Sequence, residues 1–421
     1  MGRYTGLLGL AALLALAWLL SNNRRRFPWR IVGWGLCLQL GFGLIVLRTG
    51  VGYRAFRWLD GAFHKLLGFA NEGADFVWKC FATGQVEGPL ECFVVRVLPT
   101  IIFFSALMAV LYHLGLMQLV VRSIAWLMRF TMGTSGAETL SCSANIFVGQ
   151  TEAPLMVRPF IAAMTRSELM CVMTGGFATV AGGVMALYVS WLQDQVPNIA
   201  GHLMAASIMS APAAIVVAKI LSPETEQSAT AGGGRIAVEK VDANVIEALA
   251  RGATDGMKLA INVAAMLIAF VAMLGLVNYL LGAAGDHVGH RLLGLPTQAL
   301  SLQDLLGWLF QPLAFLMGAP WAETKDLGRL LGEKIVLTEL IAYKNLADPE
   351  TSGIVLSERT RLIASYALCG FANFASIGIQ LGGIGGMAPE RRRDLARLSL
   401  KAMAGGALAS WMTACIAGVL L

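Results

Sequence analysis

The chain has 421 residues, 57% of them hydrophobic and 14% charged, with a formal net charge of +6 and a mean hydropathy of +0.66. Soluble globular chains carry about 25% charged residues, so this composition excludes a string of soluble domains. The basic residues lie between apolar runs rather than along one face, which excludes a nucleic-acid footprint.

Eight stretches are uncharged and long enough for a hydrocarbon core, which takes roughly 20 residues and tolerates about 17. In chain order they are Tyr4–Asn23, Ile31–Leu47, Val97–Val121, Leu169–Gln193, Gln195–Ala218, Leu259–Gly285, Leu362–Pro389 and Ala402–Leu421. The first lacks a small-residue cleavage site before Ser21, and its basic cluster follows the apolar run, so it reads as a retained helix rather than a secretion signal. Arg24, Arg25, Arg26 and Arg30 lie in the loop after it, which the positive-inside rule puts in the cytoplasm. Arg391, Arg392, Arg393, Arg397 and Lys401 agree, whereas Arg54, Arg57, Lys65 and Lys79 fall outside and run against the rule. Both termini are then expected to face outward.

Between the second and third spans, Phe56, Leu59, Phe63, Leu66 and Phe69 recur at three- and four-residue steps, predicting an amphipathic helix along the membrane interface. The seven cysteines form no CxxC and no Cys/His cluster at metal spacing, and Cys80 and Cys92 in an outer loop could pair. Ser222–Asn244 reads as a cytoplasmic loop followed by a short surface helix.

The second half of the chain repeats the first. Met132-Gly133-Thr134-Ser135-Gly136-Ala137-Glu138-Thr139 returns as Met317-Gly318-Ala319-Pro320-Trp321-Ala322-Glu323-Thr324. Thr151-Glu152 returns as Thr338-Glu339, and Gly176-Phe177-Ala178-Thr179 as Gly370-Phe371-Ala372-Asn373. Each copy holds an amphipathic stretch, a segment too broken to span (about Glu138–Thr165 and Glu323–Asn345), an apolar helix interrupted at Gly-Phe-Ala, and a plain span. Pro154 and Pro159 break the second part, because proline removes a backbone donor. A re-entrant hairpin with its tip at Gly149–Pro154 is expected, and a second with its tip near Leu337–Glu339. Three crossings separate the hairpins, and an odd number inverts the second copy. The expected fold is all-α and integral to the membrane: eight transmembrane helices, two inverted re-entrant hairpins and interfacial helices. Such repeats with broken helices point to a transporter's binding site near the midplane. The expected partition is a scaffold over 1–116, a first transport repeat over 117–221, a loop and scaffold helix over 222–304, and a second repeat over 305–421.

Glu152 and Glu339 are the candidate binding pair. A carboxylate near the bilayer centre costs roughly 2.5–3.5 kcal/mol on insertion scales. Either each binds ligand, or each forms a structural bridge, to Arg158 or Lys334 for example. Asn145, Gln150 and Thr151 make an oxygen-rich tip that suits a polar uncharged ligand or a desolvated cation; the alternative is helix capping by Thr151 and Asn145. The Gly-Phe-Ala interruptions expose backbone groups for binding or allow close helix packing. Phe371 or Phe374 could stack on a flat ring. No phosphate loop, Ser/His/Asp set or metal constellation is present, so no enzyme is expected.

The run Asn145-Ile146-Phe147-Val148-Gly149-Gln150-Thr151-Glu152-Ala153-Pro154-Leu155, with Lys334 to Tyr343 and Tyr366 to Asn373, resembles the concentrative nucleoside transporter family. The resemblance implies a homotrimer in which each protomer carries its own nucleoside by an elevator-like shift. By it, Gln150, Thr151 and Glu152 bind the nucleobase, Phe371 packs beside it and Val184 lines the pocket. Glu339, Asn373 and Ser376 bond the ribose hydroxyls. The family's sodium site falls on the Asn145 side chain, the Thr179 hydroxyl and the carbonyls of Val148 and Val180. The family usually has Asn-Glu-Phe-Val-Ala-Tyr where this chain has Thr338-Glu339-Leu340-Ile341-Ala342-Tyr343, so the residue before the carboxylate loses an amide. The expected function is sodium-coupled nucleoside import across a bacterial inner membrane. Proton coupling is the alternative, and a channel is the rival of another class.

Overall fold

A computed structural model of the chain describes residues 2–78, 93–230, 242–284 and 301–421; Lys79, Cys80 and Cys92 lie outside them. All regular elements among the described residues are helical. The first four are α1 (Gly2–Leu19), α2 (Trp29–Arg48), α3 (Gly50–Trp78) and α4 (Phe93–His113). The first repeat contains α5 (Leu116–Met132), α6 (Gly136–Ala144), α7 (Arg158–Ile161), α8 (Arg166–Ala178), α9 (Gly182–Leu192) and α10 (Ile199–Leu221). After α11 (Val245–Ala284) the second repeat follows: α12 (Leu302–Leu316), α13 (Thr324–Val336), α14 (Glu339–Ala347), α15 (Pro349–Ser352), α16 (Glu358–Leu368), α17 (Phe374–Met387) and α18 (Arg392–Leu420). Four segments among the described residues are long and apolar enough to cross a membrane: Trp29–Arg48, Arg166–Leu192, Ile199–Leu221 and Pro389–Leu420.

Two sequence expectations need correction. Val97–Val121 is not one straight crossing: α4 ends at His113 and α5 leaves it at 76°. Gly115 between them takes φ +81°, the left-handed conformation that ends helices. Apolarity alone hid this bend. In α5, Met117, Val121, Ala125 and Met128 are buried while Leu119, Trp126 and Phe130 are exposed, so one face packs and the other does not. The short surface helix expected after Asn244 is instead the first part of α11, which runs unbroken for 40 residues. A Cβ at Gly252 would lie 2.7 Å from the Ala106 Cα, and one at Gly256 2.7 Å from the Ile102 Cα. These glycines seat α11 on α4, while Arg251 and Lys258 pair with Asp255 on its outer face. The interfacial face of α3 packs on protein: Phe56 meets His202 edge-on at 4.9 Å and Phe63 stacks on Phe104 at 5.5 Å. The Phe69 side chain lies outside the described part.

Each segment expected as a hairpin is a pair of short helical pieces around a turn. In the first, α6 descends to a turn at 145–152, and the return is a 3-10 turn over Ala153–Val157 followed by one turn of α7, where Pro154 and Pro159 prevent a regular half-helix. The second is more regular: α13 ends at Val336, and α14 restarts at Glu339 with Thr338 as its cap, whose hydroxyl accepts from the Ile341 N–H. The repeated Met-Gly signatures anchor the hairpin bases. Glu138 accepts from the Ser135 N–H at 2.8 Å and pairs with buried Lys219 of α10 at 2.7 Å. Its counterpart Glu323 accepts from the Ser357 N–H and hydroxyl at the start of α16.

The two long apolar helices of the repeats are both broken. The first breaks at Thr179–Ala181, within the interruption expected over Gly175–Gly183, while Gly175–Ala178 stay helical inside α8. Gly175 and Gly176 make room for neighbours: a Cβ there would lie 2.8 Å from Cys142 Sγ or 2.6 Å from Gln380 Nε2. The second breaks over 369–373, where Gly370 takes φ +129°.

Candidate functional site

The two breaks touch. A Cβ on Gly370 would lie 2.8 Å from the carbonyl oxygens of Phe177 and Ala178, the last residues of α8. Each hairpin tip meets this crossing through both broken helices. Tip 1 joins α9 where the Gly182 N–H donates to the Phe147 carbonyl at 3.0 Å. It joins α17 where Gln380 Nε2 donates to Gln150 Oε1 at 3.1 Å, and Thr151 packs on Gly383 one turn further on. Tip 2 joins the same two helices. The Tyr188 hydroxyl of α9 donates to Glu339 Oε1 at 3.2 Å, and Asn373 Nδ2, at the head of α17, donates to Glu339 Oε2 at 2.6 Å. At 1.5 Å rise per residue, Gly182 to Tyr188 and Asn373 to Gln380 each span about 10 Å. The two tips are therefore bonded to each of these helices at points about 10 Å apart along it.

Glu339 is buried and Glu152 exposed. Neither forms an ion pair among the described residues, which removes the structural-bridge reading. Lys334 donates instead to the Ala367 carbonyl at 2.9 Å and Ser410 Oγ at 2.8 Å, and Arg158 is exposed. A carboxylate offers about four acceptor positions, so Glu339 keeps acceptor capacity after serving Tyr188 and Asn373. Asn373 is oriented by its other end, where Oδ1 accepts from the Ser376 N–H at 2.8 Å. Glu152 accepts from the Gly149 N–H at 2.9 Å, which closes the turn of tip 1. Val184 is buried on α9 between the residues that contact the two tips, and Phe371 is half-buried in the second break. Phe374 is exposed.

The expected cation ligands lie on tip 1 and the first break, two segments joined where the Gly182 N–H donates to the Phe147 carbonyl. Asn145 ends α6, and its Nδ2 donates back to the Ser141 carbonyl at 3.1 Å, leaving Oδ1 buried with no partner. The Ser141 hydroxyl is likewise buried and unpartnered. Thr179 gives its hydroxyl proton to the Gly175 carbonyl at 3.0 Å, which keeps its lone pairs open. Val148 and Val180 are buried beside them on tip 1 and the first break. A buried unsatisfied oxygen costs about 1–3 kcal/mol, so neutral oxygens left open here suit a hard monovalent cation. No group of three or more His, Cys, Asp or Glu residues stands at metal spacing among the described residues.

Sequence reasoning missed Tyr188 and Gln380. Each is a large hydrogen-bonding side chain in a mostly apolar helix, and that contrast is the signal that could have found them.

By fold and site, a helical membrane protein with hairpin tips and helix breaks converging this way is built as a secondary transporter. Comparison with known proteins runs the same way. Residues 202–418 match the Na+ dependent nucleoside transporter C-terminus, 8–80 the corresponding N-terminus, and 94–194 a nucleoside recognition gate. The chain is 44% identical over 417 residues to the uncharacterized transporter YutK of Bacillus subtilis (strain 168), covering 99% of each. It is 42% identical over 425 residues to sodium/nucleoside cotransporter 1 of Mus musculus, across 98% of this chain and 63% of that protein. The solved structure of CNTnw in an inward-facing substrate-bound state matches with a TM-score of 0.90 at 42% identity, over 100% of this chain and 98% of that one. The chain belongs to the Na+ dependent nucleoside transporter family and is a multi-pass membrane protein.

Proposed function

We propose that this protein imports nucleosides by sodium symport. The observation that carries the reading is that Glu339 and Gln150 are bonded to the same helix, at Asn373 and Gln380, a rise of about 10 Å apart, with Glu339 free of any ion pair among the described residues. That spacing lets one small molecule be gripped at both ends. Glu339, Asn373 and Ser376 would take the ribose hydroxyls, and Gln150, Thr151 and Glu152 the base, with Val184 and Phe371 packing against it. Sodium, the co-substrate, would sit on Asn145, Thr179 and the carbonyls of Val148 and Val180. Because those ligands come from tip 1 and the first break, bound sodium would hold that tip against α9 and complete the base site.

The finer architecture follows from the same reading: eight crossings, a scaffold over 1–116 and 222–304, and moving repeats over 117–221 and 305–421. The repeats would shift by an elevator-type movement in a homotrimer of the bacterial inner membrane, with both termini periplasmic.

The test is uptake of labelled uridine by proteoliposomes with an inward sodium gradient, an inward proton gradient, or neither. Sodium alone should drive accumulation, and Glu339→Ala should abolish it while the purified protein keeps its size-exclusion profile. Accumulation driven by protons without sodium would overturn the coupling. Undiminished uptake in the variant would overturn the ribose assignment.

A further inference from the structure

Gln380 has no assigned role, yet it is fully buried, and its amide meets both the first transport helix and tip 1. Its Nε2 lies 3.1 Å from the Met173 carbonyl of α8 and 3.1 Å from Gln150 Oε1. The orientation of a side-chain amide is read from its bonding network. A backbone carbonyl only accepts, so the Gln380 nitrogen must face Met173. Turned over, Gln380 would set oxygen against oxygen there. Its own Oε1 is buried without a partner, so nothing on that side pulls the amide round. With one proton on Met173, the other goes to Gln150, which must then offer its oxygen. Gln150 Nε2 has no protein partner among the described residues and is not among the buried unpartnered atoms, so its two donors face accessible space. Gly176 makes the arrangement possible: a Cβ there would lie 2.6 Å from Gln380 Nε2 and 3.0 Å from the Gln150 Cβ.

We propose that Gln380 is a positioning residue that fixes the Gln150 amide with its NH2 toward the ligand, so that the base is read there through an acceptor, a ring nitrogen or carbonyl oxygen. This rests on the reading of Gln150 as a base contact. A free glutamine could turn over and serve a donor equally well; a fixed one cannot, and that selects the edge the base presents.

The test is calorimetric titration of uridine into the purified full-length protein in saturating sodium chloride. Gln150→Glu keeps the shape and the oxygen that accepts from Gln380 but loses the NH2. It is expected to weaken binding at least tenfold, as Gln150→Met should, about the worth of one hydrogen bond. Gln380→Met should weaken binding about tenfold alone, but less than threefold in the Gln150→Met background, because its effect passes through Gln150. Wild-type affinity in Gln150→Glu overturns the proposal, and this arm stands even if Gln380→Met does not fold. So does an effect of Gln380→Met that is absent or equal in both backgrounds, as a merely structural role would give. If Gln150→Met itself binds uridine normally, the base-site reading falls and the proposal with it.

Discussion

Gly370 shows how little room the crossing of the two broken helices leaves. Its φ of +129° is closed to residues with a Cβ, and a methyl group would meet two carbonyl oxygens at 2.8 Å. Gly370→Ala is expected to cost at least about 1–3 kcal/mol and to weaken nucleoside binding as the breaks separate, measured by thermal unfolding and by uridine titration. Asn145 is the second test at this scale. Removing its open Oδ1 in Asn145→Ala should raise the sodium concentration for half-maximal uptake at least tenfold, read from a sodium titration at fixed uridine. The sequence already marked both residues, Gly370 by its place in the repeat and Asn145 as an amide in an apolar run. It did not mark Gln380, because a single amide in Phe374–Met387 has meaning only once Met173 and Gln150 are seen on either side of it.

Among the elements, the first hairpin is held at its base as well as at its tip. Glu138 and Lys219 form a buried ion pair joining α6 to α10, and Ser135 Oγ donates to Glu168 Oε1 of α8 at 2.6 Å. Removing one partner of a buried pair leaves an uncompensated charge and costs about 3–5 kcal/mol. Lys219→Met should therefore lower the unfolding midpoint clearly, and Lys219→Met with Glu138→Gln should recover much of the loss. Element boundaries were legible wherever proline or a cap set them, as at Pro154 and Thr338. They were misjudged at Gly115 and in α11, because apolar content does not reveal where a helix bends or which face its charges occupy.

For the whole molecule, the proposed sodium ligands come from the end of α6, the tip-1 turn and the break between α8 and α9. A cation bridging three segments binds the folded arrangement and not the unfolded chain. Sodium at about a hundred times its Kd should add roughly 2.7 kcal/mol of stability. The unfolding temperature should accordingly rise with sodium chloride and not with choline chloride, and Asn145→Ala should remove the difference. A rise equal in both salts would mean that the open oxygens do not hold the ion.

The sequence by itself determined that this chain is a membrane protein, showed motifs that recur in its two halves, and marked two acids and an oxygen-rich tip as its candidate chemistry. Those conclusions need only the cost of placing polar groups in lipid and the order of the motifs. The tertiary structure alone decided which polar groups are already paired and which remain open. Lys334 serves a carbonyl and a hydroxyl instead of Glu339, Tyr188 and Asn373 hold Glu339, and Gln380 holds Gln150. Hydrogen bonds between residues some 30 to 230 positions apart depend on how the broken helices cross, and no local pattern of residues encodes that crossing.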